Sequence, residues 1–335
     1  MPDLQTTAEE FKARLIQRER IASSDLVRVY GLSYARISES VARLTGEIDA
    51  ARASGAVVSP SYLTERDRLA RLQFEIEVEM RRFSRVATSF VTDGQASATT
   101  LALSDARQLL GVSGGQQLSF SLGNLNTRAV EAIAGTASDG SPLAKLFDDA
   151  APRASRRVRD ELMAGVAEGA SARVIASRIK EAFGGELGRA LTVARTETLS
   201  AYRTATLDTY EASGVVTRWR WLASKSSRTC AMCWAMDGKE FALKVRMHTH
   251  PNCRCTLLPV TESTPATETG EEVFAKLDAG AQSSILGPAK FDAFKANKFV
   301  LADLVGTSRH PRWGESRHER SLSSILNNKA EAATK

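Results

Sequence analysis

Apolar residues recur at alternating steps of three and four through Leu26, Tyr30, Tyr34, Ile37, Val41, Leu44 and Ile48. That spacing is one face of an amphipathic helix. Gly55 and Pro60 interrupt it, and Thr64 opens a second helix, with Asp67 three residues on in a capping-box-like arrangement. The second apolar face runs Leu69, Leu72, Ile76, Met80, Phe83, Val86 and Phe90. The short connection predicts a helical hairpin with its stripes turned to a core. Over 94–123 Gly, Ser, Gln and Thr weaken the pattern, which predicts loops around a short helix at 102–110. Two further short helices are expected at 124–135 and 143–149.

Pro152 suits the first turn of a new helix, whose stripe is Val158, Leu162 and Val166, ending near Gly169. Ser171 is placed to cap the next helix, with Val174, Ile175, Ile179 and Phe183 inside and Gly184-Gly185 at its end. A third helix spans 187–212 and stops at Gly214. Residues 215–223, VVTRWRWLA, are β-branched and aromatic and predict a strand. The Thr/Pro/Glu stretch TESTPATETGEE has no apolar period and reads as a linker. Helical signals follow at 273–286 and 290–297, and the last residues from 327 are expected to fray. The fold class is therefore mainly α with a small β element, in three segments: 1–150, 151–260 and 261–335.

Charge sharpens this division. The chain of 335 residues carries a formal net charge of +6. Residues 151–260 hold 18 Lys and Arg against 10 Asp and Glu, whereas 1–150 hold 17 against 19 and 261–335 hold 10 against 10. A local surplus points to a local anionic partner. With 43% hydrophobic and 25% charged residues the composition is that of a globular chain. No run approaches the ~18 apolar residues of a membrane helix, so no membrane partner is expected. The first residues lack the basic-then-apolar pattern of a secretory signal.

All four cysteines lie in the basic segment: Cys230 with Cys233, and Cys253 with Cys255. Without a signal sequence a reducing compartment is expected, where disulfides do not persist. C-x-x-C followed by C-x-C with His248 and His250 then points to a metal. Thiolate and imidazole donors suit tetrahedral zinc. Cys230 and Cys233 are the first two ligands, and His250, Cys253 and Cys255 compete for the other two places. Two disulfides or inert thiols are the alternatives.

Residues 161–259 resemble the head morphogenesis domain of tailed-phage minor head proteins, a family named for the F protein of phage Mu and the portal-associated protein of phage SPP1. The resemblance rests on Gly165, Gly169 and Ser171, and on Ala194-Arg195-Thr196-Glu197 with Ala201. It continues through Trp221, Arg228-Thr229-Cys230, Cys233, Gly238 and Phe241, and closes on His250-Pro251-Asn252-Cys253-Arg254-Cys255 and Pro259. A looser match follows at Gln282, Ile285-Leu286-Gly287 and Trp313-Gly314. Ser226 departs from the acidic residue often found two before the Arg-Thr-Cys. The resemblance implies a virion component of low copy number near the portal vertex, inside the capsid. It would reside in the host cytoplasm during assembly and act in procapsid assembly and DNA packaging or ejection. Its partners would be the portal protein or the major capsid protein.

Arg195 and Glu197 are two apart and do not share a helix face. One of them is expected to tie the long helix to the cysteine module, a structural rather than an acid–base role. Trp221 belongs to the same structural signature. Arg153, Arg156, Arg157, Arg159, Arg218 and Arg220 are candidates for phosphate contact with packaged DNA. Trp219 and Trp221 could add base stacking, with alternation turning one of them into core. No catalytic residue is expected. The rival readings are a His-Asn-His nuclease built on His248, His250 and Asn252, and a regulatory DNA-binding module.

Overall fold

In a computed structural model, residues 3–113, 130–226, 228–310 and 314–333 are described. Helix α1 spans Leu4–Ala53, α2 Pro60–Thr64 and α3 Arg68–Val112. The first predicted stripe is buried as read, apart from Tyr34, which is half-buried. On α3 the buried face starts on Leu69, Leu72, Ile76, Met80 and Phe83 but reaches Ala87 and Val91 rather than Val86 and Phe90. A helix of 3.6 residues per turn drifts away from a strict three-four alternation. Thr64 forms no capping box: its hydroxyl donates to the Ser61 carbonyl at 2.8 Å. A single 3-10 turn, Glu65–Asp67, with Arg66 and Asp67 at positive φ, precedes α3.

Two expected breaks do not occur. Helix α3 runs unbroken through the segment read as loops, and 102–110 is its last part; the expected loop and helix at 114–129 lie outside the described residues. Helix α4 is Ala150–Ala167, and α5 is a single helix, Ala172–Ser213, that passes through Gly184-Gly185. An interior glycine costs only ~1 kcal/mol against alanine, which the packing of a long buried face outweighs. Gly165 sits where an added Cβ would lie 2.5 Å from Ile175 Cγ1, so the α4–α5 corner needs glycine for close approach. Val174, read as internal, is 42% exposed.

Contacts group the chain differently from three consecutive segments. One unit comprises Met1–Arg18, Gln95–Ala134 and Thr198–Lys335. The other comprises Glu19–Gly94 and Gly135–Glu197. In the second unit, Tyr30 of α1 meets Phe83 of α3 edge-on with ring centroids 5.0 Å apart, and its hydroxyl donates to the Phe183 carbonyl of α5. A 3-10 turn, Leu143–Leu146, stands where a short helix was expected.

In the first unit, β1 (Arg218–Leu222) is the centre of an antiparallel sheet between β2 (Glu240–Ala242) and β3 (Thr256–Val260). Trp219 pairs with Phe241 and Pro259, and Trp221 with Leu257. Helix α6, Ala231–Met236, lies between β1 and β2. The predicted 273–286 helix is two helices, α7 Gly270–Ala275 and α8 Ala279–Leu286, each with its own N-cap, Thr269 and Asp278. Helix α9 is Pro288–Lys295. A hairpin that the pattern does not predict follows: β4 Val305–His310 with β5 Gly314–Glu319, before α10, Leu322–Ala333. Among the described residues no helix is long and apolar enough to cross a membrane.

Candidate metal centre

The floor of the site is β1. Residues 219 and 221 share one face of a strand, so both tryptophans point inward and both are 0% exposed. This corrects the expectation that only one is core, and removes both as stacking surfaces for bases. Around them pack Leu207, Tyr210, Met232, Met236 and Leu257.

Cys230 is the N-cap of α6, in extended backbone at φ −68 and ψ 156, and Cys233 lies three residues on. N-cap and third helical residue face each other across the first turn, as in a capping box, so the C-x-x-C spacing brings both sulfurs to one point. Asp237 and Gly238, the latter at φ +81, end α6 in a turn. The Asp237 carboxylate accepts from the Ala223 amide at 2.7 Å and the Lys225 ammonium at 3.0 Å. Ser226 holds the approach to the knuckle through the Thr229 hydroxyl, 3.0 Å from the Ser226 amide.

His250 opens a turn closed by a bond from the Cys253 amide to the His250 carbonyl, with Asn252 at φ +65. Proline followed by a left-handed asparagine suits a type II turn. His250 Nδ1 faces the Pro251 carbonyl at 2.8 Å. A carbonyl only accepts, so Nδ1 carries the proton and Nε2 is turned to the sulfurs. Nε2 lies 3.3 Å from Cys230 Sγ and 3.4 Å from Cys233 Sγ. Cys233 Sγ is 3.8 Å from Cys253 Sγ. Two overlapping groups of potential ligands result: Cys230, Cys233 and His250, and Cys233, Cys253 and Cys255. His248 is half-buried in the same loop. The four thiols are free, so the disulfide alternative is not realised.

The donor set fits zinc. Bonds of ~2.3 Å to sulfur and ~2.0 Å to nitrogen in a tetrahedron require edges of ~3.8 Å between sulfurs and ~3.5 Å from sulfur to nitrogen. The distances above match that frame. In the absence of an ion the protons are shared unevenly across this crowded cluster. The Cys233 thiol hydrogen-bonds Cys230 and, with His250 nearby and against burial, lowers Cys230 to about 5. Cys233 and Cys255 hold Cys253 well below its usual value, again against burial. Cys230 hydrogen bonding and burial push Cys233 up. Contact with Cys233 lowers Cys255, but Cys253 and burial win and raise it. Burial opposes the charge of His250, yet Cys230 and Cys253 raise it to about 11.

The side chain that ties the long helix to this loop is neither Arg195 nor Glu197. It is Arg203, which is 4% exposed. Its Nε donates to the Cys255 carbonyl at 2.9 Å, Nη2 to the Cys253 carbonyl at 2.7 Å and Nη1 to Thr249 Oγ1 at 3.2 Å. Arg195 instead donates to Glu19 at 2.8 Å. Glu197 accepts from the Ser138 amide at 2.7 Å and its hydroxyl at 3.0 Å, fixing the 135–142 turn. Burial raises the Glu197 carboxyl to about 7, against the Ser138 bonds.

The unpredicted hairpin also serves the knuckle. Glu319 accepts from the Ala231 amide at the start of α6 at 3.2 Å, and the Ser316 hydroxyl donates to the Thr249 carbonyl at 3.3 Å. The Arg317 guanidinium stands 5.1 Å from the Phe241 ring centre and 5.8 Å from that of Trp221.

The candidate phosphate-binding arginines divide. Arg153 makes a bidentate pair with Glu186 at 2.6 and 2.7 Å and a second pair with Asp149. Arg220 is buried on Glu240, the Pro265 carbonyl and Thr267. Arg156 and Arg157 are exposed, the latter donating to the Ala182 carbonyl at 3.2 Å. Arg159 pairs at the surface with Asp160, and Arg218 is 64% exposed and 3.9 Å from Glu240.

The fold and site define a mainly helical protein with a small sheet and a knuckle of four cysteines and a histidine. Residues 156–258 match the family described as phage Mu protein F like protein. That match covers nearly the same segment as the resemblance drawn from the sequence, 161–259, and supports a phage head morphogenesis family for it. No curated protein and no solved structure matches the chain.

Proposed function

We propose that this protein is a minor head protein of a tailed phage or prophage, placed at the portal vertex, where it acts in procapsid assembly and in DNA packaging or ejection. The observation that carries this reading is the convergence of Cys230, Cys233, His250, Cys253 and Cys255 inside the matched segment. Zinc held there has a structural role: it closes a loop that three short strands cannot hold alone. Helices α1 and α3 offer surface to the portal or major capsid protein. Packaged DNA meets Arg156, Arg157, Arg159 and Arg218. The engagement of His250 Nε2 with two cysteine sulfurs favours this reading over a His-Asn-His nuclease.

The test is proteomic analysis of gradient-purified heads and virions from the phage or induced prophage, with and without the gene. The protein is expected in both particles at a few copies each, and its loss should lower the yield of filled or infectious particles. Its absence from procapsids and virions alike would overturn the proposal.

A further inference from the structure

The knuckle offers five donors for the four places of a tetrahedral ion. Two of its turns each present a pair of donors three residues apart. The first turn of α6 presents Cys230 and Cys233, and the His250–Cys253 turn presents an imidazole and a thiol. His250 Nε2 is 3.3 and 3.4 Å from the two sulfurs of the first turn, and Cys253 Sγ is 3.8 Å from Cys233 Sγ. Each of these three distances has the length of an edge of a tetrahedral site, and Cys233 is the thiol that joins the two close groups Cys230–Cys233–His250 and Cys233–Cys253–Cys255.

Cys255 is placed differently. It immediately precedes β3, so its position is fixed by the ladder that pairs Thr256 with Leu222 and Leu257 with Trp221. Its side chain shares the inward face of Leu257, and it is 2% exposed. Its neighbours include Cys233, Cys253 and the Trp221 indole. The Trp221 indole N–H is buried and lacks a conventional hydrogen-bond partner. The weakly accepting Cys255 sulfur is the group this donor meets.

We infer that Cys230, Cys233, His250 and Cys253 are the zinc ligands, and that Cys255 is a fifth, non-ligating thiol held between the site and Trp221. This assignment rests on the structural-zinc reading above and goes further by separating the two cysteines of the C-x-C pair.

The full-length protein, selectively labelled at cysteine and loaded with cadmium-113, tests the assignment without substitution. Scalar coupling to cadmium is expected on the β-protons of Cys230, Cys233 and Cys253 and on the His250 ring, and not on Cys255. A second arm compares zinc affinity of Cys255→Ala and Cys253→Ala. Cys255→Ala should lose no more than the ~10- to 100-fold of a supporting group, and Cys253→Ala far more. Coupling on Cys255, or the reverse order of the two variants, would overturn the assignment while leaving the metal reading intact. A native protein that binds neither cadmium nor zinc would overturn both.

Discussion

The guanidinium of Arg203 donates to the main-chain carbonyl of Cys253 at 2.7 Å, and so spans from helix α5 to the loop carrying the second cysteine pair. A planar fork with five donors can hold the Cys253 and Cys255 carbonyls together, which an ammonium point charge cannot do in the same geometry. Arg203→Gln should therefore weaken zinc binding by ~10- to 100-fold, and Arg203→Lys should restore little of it. Competition with a chromophoric chelator measures this. Full rescue by lysine would mean that charge alone matters.

If the cluster holds structural zinc as proposed, its removal would leave thiolates and an imidazolium crowded in one site. The expected outcome is local: amide exchange rises across 218–260, while the α3 segment buried on Ile76, Met80 and Phe83 keeps its protection. Hydrogen exchange in the presence of a strong chelator reads both regions at once. An unchanged 218–260 segment would show that the loop does not depend on metal.

Glu197 gives a pH dependence with a defined sign. Its carboxyl is raised from 4.5 to about 7 in the folded chain. The folded state therefore holds the proton that the unfolded state has lost between those values. The stabilisation is complete below about 4.5 and is lost as pH rises through about 7. The difference amounts to about 3 kcal/mol at ~1.4 kcal/mol per unit. Glu197→Gln should remove this slope and raise stability at pH 8, as measured by denaturant unfolding across pH. A slope that survives the substitution would contradict the assignment to this carboxyl.

Exposed and internally paired arginines should separate in a DNA-binding assay. Replacing Arg156, Arg157, Arg159 or Arg218 by glutamine is expected to lower duplex affinity, reducing the salt dependence by ~0.9 in log–log slope for each lost phosphate contact. Arg153→Gln and Arg220→Gln should instead lower thermal stability, because the first strands the buried Glu186 carboxylate and the second removes a buried guanidinium from its contacts with Glu240, Pro265 and Thr267. Equal loss of binding in all six would mean that net charge, not a surface, governs association.

Gly165→Ala tests the α4–α5 corner. The new methyl would overlap Ile175, so a loss of ~1–3 kcal/mol is expected. Ile175→Val in the same chain should recover part of it, and thermal melts of the single and double variants read the coupling.

The helical stripes from Leu26 to Ile48 and from Leu69 to Phe83 were legible because one face of each is buried over many turns. The cysteine knuckle was legible because C-x-x-C and H-x-x-C impose their own turns. Other features left no such trace. Glycine pairs read as stops, yet Gly184-Gly185 lies inside a helix whose packing outweighs a small local cost. Arg203 looks in sequence like any surface arginine of a basic helix, and only the folded chain shows its donors turned inward. The hairpin β4–β5 escapes the pattern because VGTSRH and GESRHE have little apolar alternation, and its buried positions include Gly306 and Ser316.

The segment that defines the family is not self-sufficient. Leu222 and Leu258, at the heart of its sheet, lie under Ala8, Phe11 and Leu109, which come from helices far upstream. An excised 156–258 fragment would therefore present bare leucines where the native chain has a lid.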